Sequence, residues 1–200
     1  GEGNNRTVYF SNTDYLQFYQ NSVWNQTNGA ALEYASSGGN NELVNSIFQA
    51  TNGYALRIGV TGAFTQINNN NLFTTGVNLG KWGNTDAPDL NAWKATSGFD
   101  ANSLTVNSQF ISSEDLTPQE EALAVNGLDL TTVVSEDING VPRFVPVSIG
   151  AVQFFSESGR DLAMVAINSP NSSCILYNQE EITVVIANVG TSFAGNISLS

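Results

Sequence analysis

The sequence contains no histidine and only one cysteine, and charged residues make up only 12% of its 200 residues. Without histidine, Ser-His-Asp triads, Cys-His pairs and imidazole-dependent metal sites are excluded. The net charge is −12, and the six bases lie singly along the chain, so the sequence lacks the clustered cations that nucleic acid requires. The same charge balance disfavours an anionic membrane surface. These bases are Arg6, Arg57, Lys81, Lys94, Arg143 and Arg160.

Long apolar runs are also missing. The longest, such as residues 182–187, are far shorter than the roughly 20 residues of a membrane-spanning helix, so no membrane insertion is predicted. The first residues lack the basic and apolar regions of a signal peptide. Because the chain begins with Gly1 rather than methionine, we expect it to be a piece of a longer protein.

Asparagine is the residue in excess, with 26 in the chain and 15 of them before position 80. In that stretch a short pattern recurs at offsets of 24 and 25 residues, as Asn-Ser-Val-Trp at 21–24, Asn-Ser-Ile-Phe at 45–48 and Asn-Asn-Leu-Phe at 70–73. Asparagines at fixed repeat positions are predicted to be structural, because they tolerate left-handed corners and can hydrogen-bond neighbouring copies.

A second pattern repeats beside the first. Leu-Glu-Tyr at 32–34 matches Leu-Arg-Ile at 56–58, and residues 76–79 are taken as the third copy. Apolar and charged side chains alternate within each copy, as in a strand with one buried face. Short strands with this period favour a parallel β-helix solenoid over an antiparallel sandwich, which has no reason to repeat them in register.

The two repeats predict two columns of stacked side chains in the solenoid core. Neighbouring members of a column would lie about 4.8 Å apart along the axis. The predicted columns are Trp24, Phe48 and Phe73 in one, and the inward-facing Leu32 and Leu56 in the other.

Beyond residue 80 the repeat stops, and an excursion from the solenoid wall is predicted. Residues 86–95 favour a short helix, with Asp86 or a neighbour as its N-cap and Gly98 as its end. Further short elements are expected: strands over 103–106, 109–111 and 145–155, and a helical turn over 117–123.

Residues 90–151 carry a combination of motifs: a Leu-x-x-Trp helix, a Gly-x-Asp-x-x-Ser stretch, an Asp-x-x-Gly-x-x-Arg turn and a final Ile-Gly-Ala. The residues concerned are Leu90, Trp93, Gly98, Asp100, Ser103, Phe110, Asp137, Gly140, Arg143, Ile149, Gly150 and Ala151. Together they resemble the C-terminal end of the secreted bacterial right-handed β-helix proteins of the choice-of-anchor Q type. Asn107-Ser108 departs from the Asp-Pro that this family has before its strand. The resemblance implies a pectate-lyase-like solenoid.

Arg143 is predicted to be structural. It follows Asp137 by six residues, and a charge-assisted pair between them would hold the turn at 137–140 against the last coil. Asp137, Asn139 and Gly140 share the start of a calcium loop, but the later ligands are missing, which favours a structural turn. No cofactor is predicted, and calcium is the one ion left open.

From residue 158 the sequence resembles the first strands of immunoglobulin-like adhesion-type domains, which need about seven strands. We therefore expect an incomplete sandwich, in which Cys174 lacks its disulfide partner. Its strands, at 162–167 and 181–188, should expose apolar faces. The apolar residues concerned are Leu162, Met164, Ile182 and Val184.

The predicted fold is therefore all-β in three parts. Residues 1–80 form parallel β-helix coils. Residues 81–157 form the last coils and the C-terminal end of the β-helix, with short helical excursions. Residues 158–200 form the incomplete immunoglobulin-like domain.

Carboxylate-pair chemistry of the glycosidase kind, or calcium-assisted lysis of an acidic polysaccharide, is the catalysis that this composition allows. The candidates are the pairs Glu114-Asp115 and Glu120-Glu121, together with Asp129. Adjacent residues on a strand point to opposite faces, so these pairs are poorly placed for acid–base work. We predict a solvated surface there and no catalytic residue.

The function that the sequence favours is a secreted or cell-surface, non-catalytic scaffold for adhesion or polysaccharide binding, with a polysaccharide or cell-surface ligand as its partner. The alternative is a carbohydrate-active enzyme, either a polysaccharide lyase or a glycoside hydrolase, whose catalytic coils lie upstream of Gly1. A purely structural stalk is a third reading. The sequence does not determine the oligomeric state.

Overall fold

The computed structural model describes residues 5–154, 162–169 and 183–188. The chain divides into two compact units, residues 1–155 and 156–200. The first unit contains eleven of the strands described. They are β1 (Val8–Phe10), β2 (Gln17–Tyr19), β3 (Ser22–Asn25), β4 (Leu32–Tyr34), β5 (Asn41–Val44), β6 (Ile47–Ala50), β7 (Leu56–Ile58), β8 (Phe64–Asn68), β9 (Asn71–Thr74), β10 (Gly80–Trp82) and β11 (Thr85–Ala87).

These strands form three sheets around one core. Sheet A has the order β1-β4-β7-β10-β11, sheet B the order β2-β5-β8, and sheet C the order β3-β6-β9. All neighbours pair in parallel except β10 and β11, which pair antiparallel. Each coil adds one strand to every sheet, so the unit is a parallel β-solenoid of about three turns. The predicted parallel solenoid is confirmed, and the antiparallel sandwich is excluded for this unit.

The leucine column lies where the repeat predicts. Leu32 pairs with Leu56 in register, and both side chains are fully buried. The residues that follow them, Glu33 and Arg57, point to the outer face of sheet A. The third copy is Gly80–Trp82 of β10, which pairs with β7, rather than residues 76–79.

The predicted aromatic column is wrong. Phe48 lies in register with Val23 and Leu72 and is fully buried in the core. Trp24 and Phe73 instead belong to the neighbouring column, on either side of Gln49. A shift of one residue moves a side chain to the opposite face of a strand, so Trp24 and Phe73 face outward.

The cause of this slip is the residue at the corner between sheets B and C. The left-handed corner positions are Gln20, Asn45 and Asn69, with φ of 57°, 54° and 53°. Aligning asparagine with asparagine places Asn21 and Asn70 there instead. Glutamine adopts this conformation rarely, so its presence at the corner leaves no signal in the sequence.

The helix α1 (Leu90–Ser97) closes the end of the solenoid core. Asp89 is its N-cap and accepts a hydrogen bond of 2.8 Å from the Ala92 N–H, and Gly98 ends it with φ of 76°. The prediction named Asp86 or a neighbour as the cap; Asp89, three residues on, takes that position, and Asp86 lies in β11. Trp93 is fully buried against Gly80, where an added Cβ would lie 2.5 Å from the indole Cε3.

Residues 104–154 form an outer layer on sheet C with little regular structure. Leu104 and Val147 make only isolated bridges, to Asn71 and Gly127, so the strands predicted at 103–106 and 109–111, and at 145–155 as far as it is described, do not form. The predicted helical turn appears as a 3₁₀ helix at Glu121–Ala124.

A small second core joins the layer to sheet C, because the outward-facing Ile47 is fully buried there. Its buried residues are Ile47, Leu123 and Ile149.

In the second unit, β12 (Leu162–Ser169) and β13 (Thr183–Asn188) pair antiparallel. Val184 is half-buried. Cys174 and Ile182 lie outside the described residues, as do the side chains of Leu162 and Met164. The immunoglobulin-like assignment stays a prediction. Among the residues described, no helix is long and apolar enough to cross a membrane.

Candidate functional site

The outer face of sheet A is the candidate binding surface. The outer layer covers the outward side chains of sheet C, burying or half-burying them, but side chains on sheet A remain accessible. Tyr9 is 44% exposed, and the Arg57 side chain is 45% exposed. Because the face is built on hydrogen-bonded parallel strands, its side chains project from a rigid framework.

Four residues form one row across this face. Tyr9 pairs with Glu33, Glu33 with Arg57, and Arg57 with Lys81, each at the central position of its strand. Neighbouring strands in a sheet lie about 4.8 Å apart, so the row runs along the solenoid axis at that spacing. We call these residues, together with Arg6 and Asp86, the sheet A row.

At one end of the row, Glu33 forms ion pairs with two arginines. It is only 8% exposed, and its Oε2 lies 3.2 Å from Arg6 Nη1 and 3.6 Å from Arg57 Nη1. Arg6 donates a hydrogen bond to Glu33 and also lies over the Tyr9 ring, with 3.6 Å between Cζ and the ring centroid. Arg6 is thus held by both a carboxylate and an aromatic face.

At the other end, Lys81 and Asp86 form a loose pair. Lys81 Nζ lies 3.9 Å from Asp86 Oδ1, which also accepts a hydrogen bond of 2.9 Å from the Tyr54 hydroxyl. Both charged side chains are partly exposed, so the pair adds little to stability.

The row brings together three of the five bases in the described residues. Of the other two, Lys94 donates to the Ala101 carbonyl beside α1, and Arg143 is buried. With two acids against three bases, the row is locally cationic in a chain of net charge −12. Seven acids belong instead to the layer on sheet C. They are Glu114, Asp115, Glu120, Glu121, Asp129, Glu136 and Asp137.

The outer face of sheet B is polar but not cationic. Gln17, Glu42 and Gln66 lie in one row, and the Tyr19 hydroxyl donates to Glu42. Burial, reinforced by the Glu42 carboxylate, raises the pKa of Tyr19 to about 12. Tyr19 is therefore a neutral hydrogen-bonding group at ordinary pH.

Trp93 and Asp100 meet inside the end of the solenoid. The Trp93 indole N–H donates to Asp100 Oδ2 at 2.7 Å, and Oδ1 accepts from Ser103 and Asn70. Asp100 is 1% exposed, and burial raises the pKa of its carboxyl group above the ordinary value. All three partners of the Asp100 carboxylate belong to the surrounding fold. Asp100 therefore links the chain after α1 to the corner that precedes β9.

The expected ion pair between Asp137 and Arg143 is not formed, although both are described and buried. Arg143 Nη2 donates to the carbonyls of Gly150 and Ala151, each at 3.0 Å. Burial lowers the pKa of the Arg143 guanidinium. Instead, each side chain hydrogen-bonds to backbone groups of the residues that follow it. Arg143 donates to carbonyl groups, and Asp137 accepts from N–H groups.

The Asp137 carboxylate is fully engaged by backbone donors. It accepts from the N–H groups of Asn139, Val141 and Gln153 at 2.8, 2.9 and 2.9 Å. Burial raises the pKa of Asp137, but these three hydrogen bonds and the charge of Arg143 outweigh it, and the net shift is downward.

Gly150 packs closely against Ile47 of sheet C. Its φ is 104°, and a Cβ added at Gly150 would lie 2.7 Å from Ile47 Cδ1.

The acids proposed for catalysis do not assemble into a site. Asp115 and Asp129 are exposed and accept hydrogen bonds within their own turns, which lower the pKa of each. Glu120 caps the 3₁₀ helix. Across the described part of the chain, no group of three or more histidine, cysteine, aspartate or glutamate side chains could hold a metal ion.

Sequence reasoning missed Arg6 and Lys81 as members of a common surface. The available signal was the 24-residue period itself, because one further step from Arg57 reaches Lys81. Taking residues 76–79 as the third copy removed Lys81 from the row.

The fold defines the class of protein, a parallel β-solenoid capped by a helix. No protein-family model matches the sequence, and neither the curated proteins nor the solved structures provide a match.

Proposed function

We propose that this chain is a non-catalytic polysaccharide-binding scaffold of a secreted or cell-surface protein. The single observation that carries the proposal is the pair of accessible solenoid faces, A and B, on which polar and charged side chains line up in register from coil to coil. A polymer with a regular repeat presents its groups at regular intervals, and a solenoid face offers matching groups at fixed spacing. Such a surface gains affinity from many weak contacts.

Two features of the sequence support a secreted or cell-surface location. The motifs at 90–151 resemble the end of secreted bacterial right-handed β-helix proteins, and the residues after 158 resemble an immunoglobulin-like module that would serve as a spacer. A non-catalytic role is supported by the acids of the outer layer. Of the candidate acids, Asp115, Glu120 and Asp129 each accept a hydrogen bond from a backbone N–H group two residues further along the chain.

A glycan array with the 200-residue chain tests the proposal. We expect retention on at least one class of polysaccharide and no shortening of the bound polymer, as measured by size-exclusion chromatography. If no polysaccharide is bound, the proposal is wrong. If the polymer is shortened, a carbohydrate-active enzyme replaces the scaffold as the function.

A further inference from the structure

We propose that the sheet A row binds an anionic glycan, with Arg57 and Lys81 together holding one carboxylate or sulfate group. This inference rests on the proposed function and names the ligand class for one of its two faces. It depends on how these two cations are placed and on how few of their donors are used inside the protein.

Arg57 and Lys81 are adjacent like charges in register on β7 and β10. Like charges at directly opposed sheet positions destabilise a sheet. Glu33 lies on the other side of Arg57, and Asp86 lies beyond Lys81, so no acid stands between the two cations in the sheet. An anion bound between them would remove this repulsion.

Both side chains form only long ion pairs within the described part of the chain. Arg57 lies 3.6 Å from Glu33 and Lys81 lies 3.9 Å from Asp86, and neither contact is a hydrogen bond. Arg6, in contrast, is already held by its hydrogen bond to Glu33 and by the Tyr9 ring. The planar guanidinium of Arg57 can donate two parallel hydrogen bonds to a carboxylate or sulfate, while Lys81 adds a point charge.

Eleven acids of residues 5–154 lie outside the row, and most of them are on another face of the solenoid. Seven of them lie in the layer that covers sheet C, another face of the solenoid, and charges farther apart than the Debye length of about 8 Å are largely screened at physiological salt. A glycan suits the row better than nucleic acid, because three bases alongside two acids are too few for a phosphate backbone. Tyr9, at one end of the row, is 44% exposed although Arg6 lies over one face of its ring, and such an amphipathic side chain can contact a sugar ring.

The test is isothermal titration of the 200-residue chain with polygalacturonate, dextran sulfate, neutral dextran and double-stranded DNA. The variants are Arg57→Gln and Lys81→Gln, and the matched control is Lys94→Gln, which removes a cation on α1, outside the row. Glu33 keeps its hydrogen bond to Arg6 in Arg57→Gln, so the fold should persist, as thermal melting will verify.

We expect binding to polygalacturonate, dextran sulfate or both, weakened by added salt. Each of the two row variants should reduce affinity about tenfold, whereas the control should stay within about twofold. The bound glycan should also raise the melting temperature of the wild-type chain. The polygalacturonate and dextran sulfate titrations distinguish a carboxylate from a sulfate as the recognised group.

Three outcomes would overturn the inference and leave the proposed function standing. These are binding to neutral dextran alone, acidic-glycan binding that neither row variant weakens, and DNA binding as tight as that of either glycan. If the glycan array also finds no polysaccharide bound, the proposed function fails as well.

Discussion

Phe48 is fully buried between Val23 and Leu72, whereas Phe73 lies in the neighbouring, outward column beside Gln49. Truncating Phe48 to alanine should destabilise the fold by about 3–5 kcal/mol, since a cavity remains in a closed core. Phe73→Ala is the matched variant and should cost clearly less, because its side chain is only half-buried. Urea unfolding of both variants measures the difference, and equal costs would contradict the register.

At the same scale, Asp137 makes stability depend on pH. The pKa of Asp137 is lowered in the folded chain, so its stabilisation is present above the ordinary aspartate pKa and is lost as pH falls through the lower folded value. Asp137→Asn places an amide donor against the Gln153 N–H and should cost about 1–3 kcal/mol near neutral pH.

Urea unfolding of the wild type and Asp137→Asn across an acid-to-neutral series checks this sign. The gap between the two should close as the wild-type carboxylate is protonated. A gap that stays constant over the whole series would show that Asp137 does not act through its charge.

At the scale of elements, α1 seals the open end of the core by placing Trp93 over β10. Gly80 is required there because a methyl group would lie 2.5 Å from Trp93 Cε3 and 3.2 Å from the Leu56 carbonyl. Gly80→Ala should therefore destabilise the chain by about 1–3 kcal/mol through overpacking.

The matched control is Gly62→Ala, since nothing lies within 4 Å of an added Cβ at that position. It should change stability by at most about 0.5 kcal/mol. Thermal and urea unfolding of both variants measure the effect. If Gly80→Ala were as stable as Gly62→Ala, α1 would not be packed on β10.

At the scale of the whole molecule, the solenoid and the layer on sheet C belong to one compact unit. Asn45 exchanges hydrogen bonds with the backbone of Leu128, and the Ala151 N–H donates to Ser22 Oγ at 3.0 Å. Arg143 donates to the carbonyls of Gly150 and Ala151, on either side of the Ala151 N–H. Arg143→Met should cost about 2–3 kcal/mol, because it leaves buried acceptors without their charged donor.

Amide hydrogen exchange of Arg143→Met shows which strands lose stability. We expect faster exchange in β6 and β9, the strands of sheet C under the layer, and little change in β4 and β7. Lys94→Met removes a half-buried cation that donates one hydrogen bond, to the Ala101 carbonyl, and should cost no more than about 1 kcal/mol. Unchanged hydrogen exchange in sheet C would contradict the proposal that Arg143 holds the outer layer against that sheet.

Local patterns in the sequence determined the solenoid. The 24-residue offset between Leu32 and Leu56, the alternation around Glu33 and Arg57, and the capping chemistry ending at Gly98 are readable because strand alternation and helix caps depend on near neighbours. The sequence also excluded histidine-based chemistry.

Only the tertiary structure decided which residue occupies each corner and what covers each face. Gln20 takes a left-handed corner that the coils stacked against it impose, and this shifted the predicted aromatic column by one residue. Ser22 and Ala151 meet across 129 positions, and Arg6, Glu33 and Lys81 gather on one face although they are scattered in the chain. Such pairings depend on packing between distant segments, for which no local propensity exists. The 24-residue period gives the spacing from Glu33 through Arg57 to Lys81, but only the stacked coils show that these residues and Arg6 share one face.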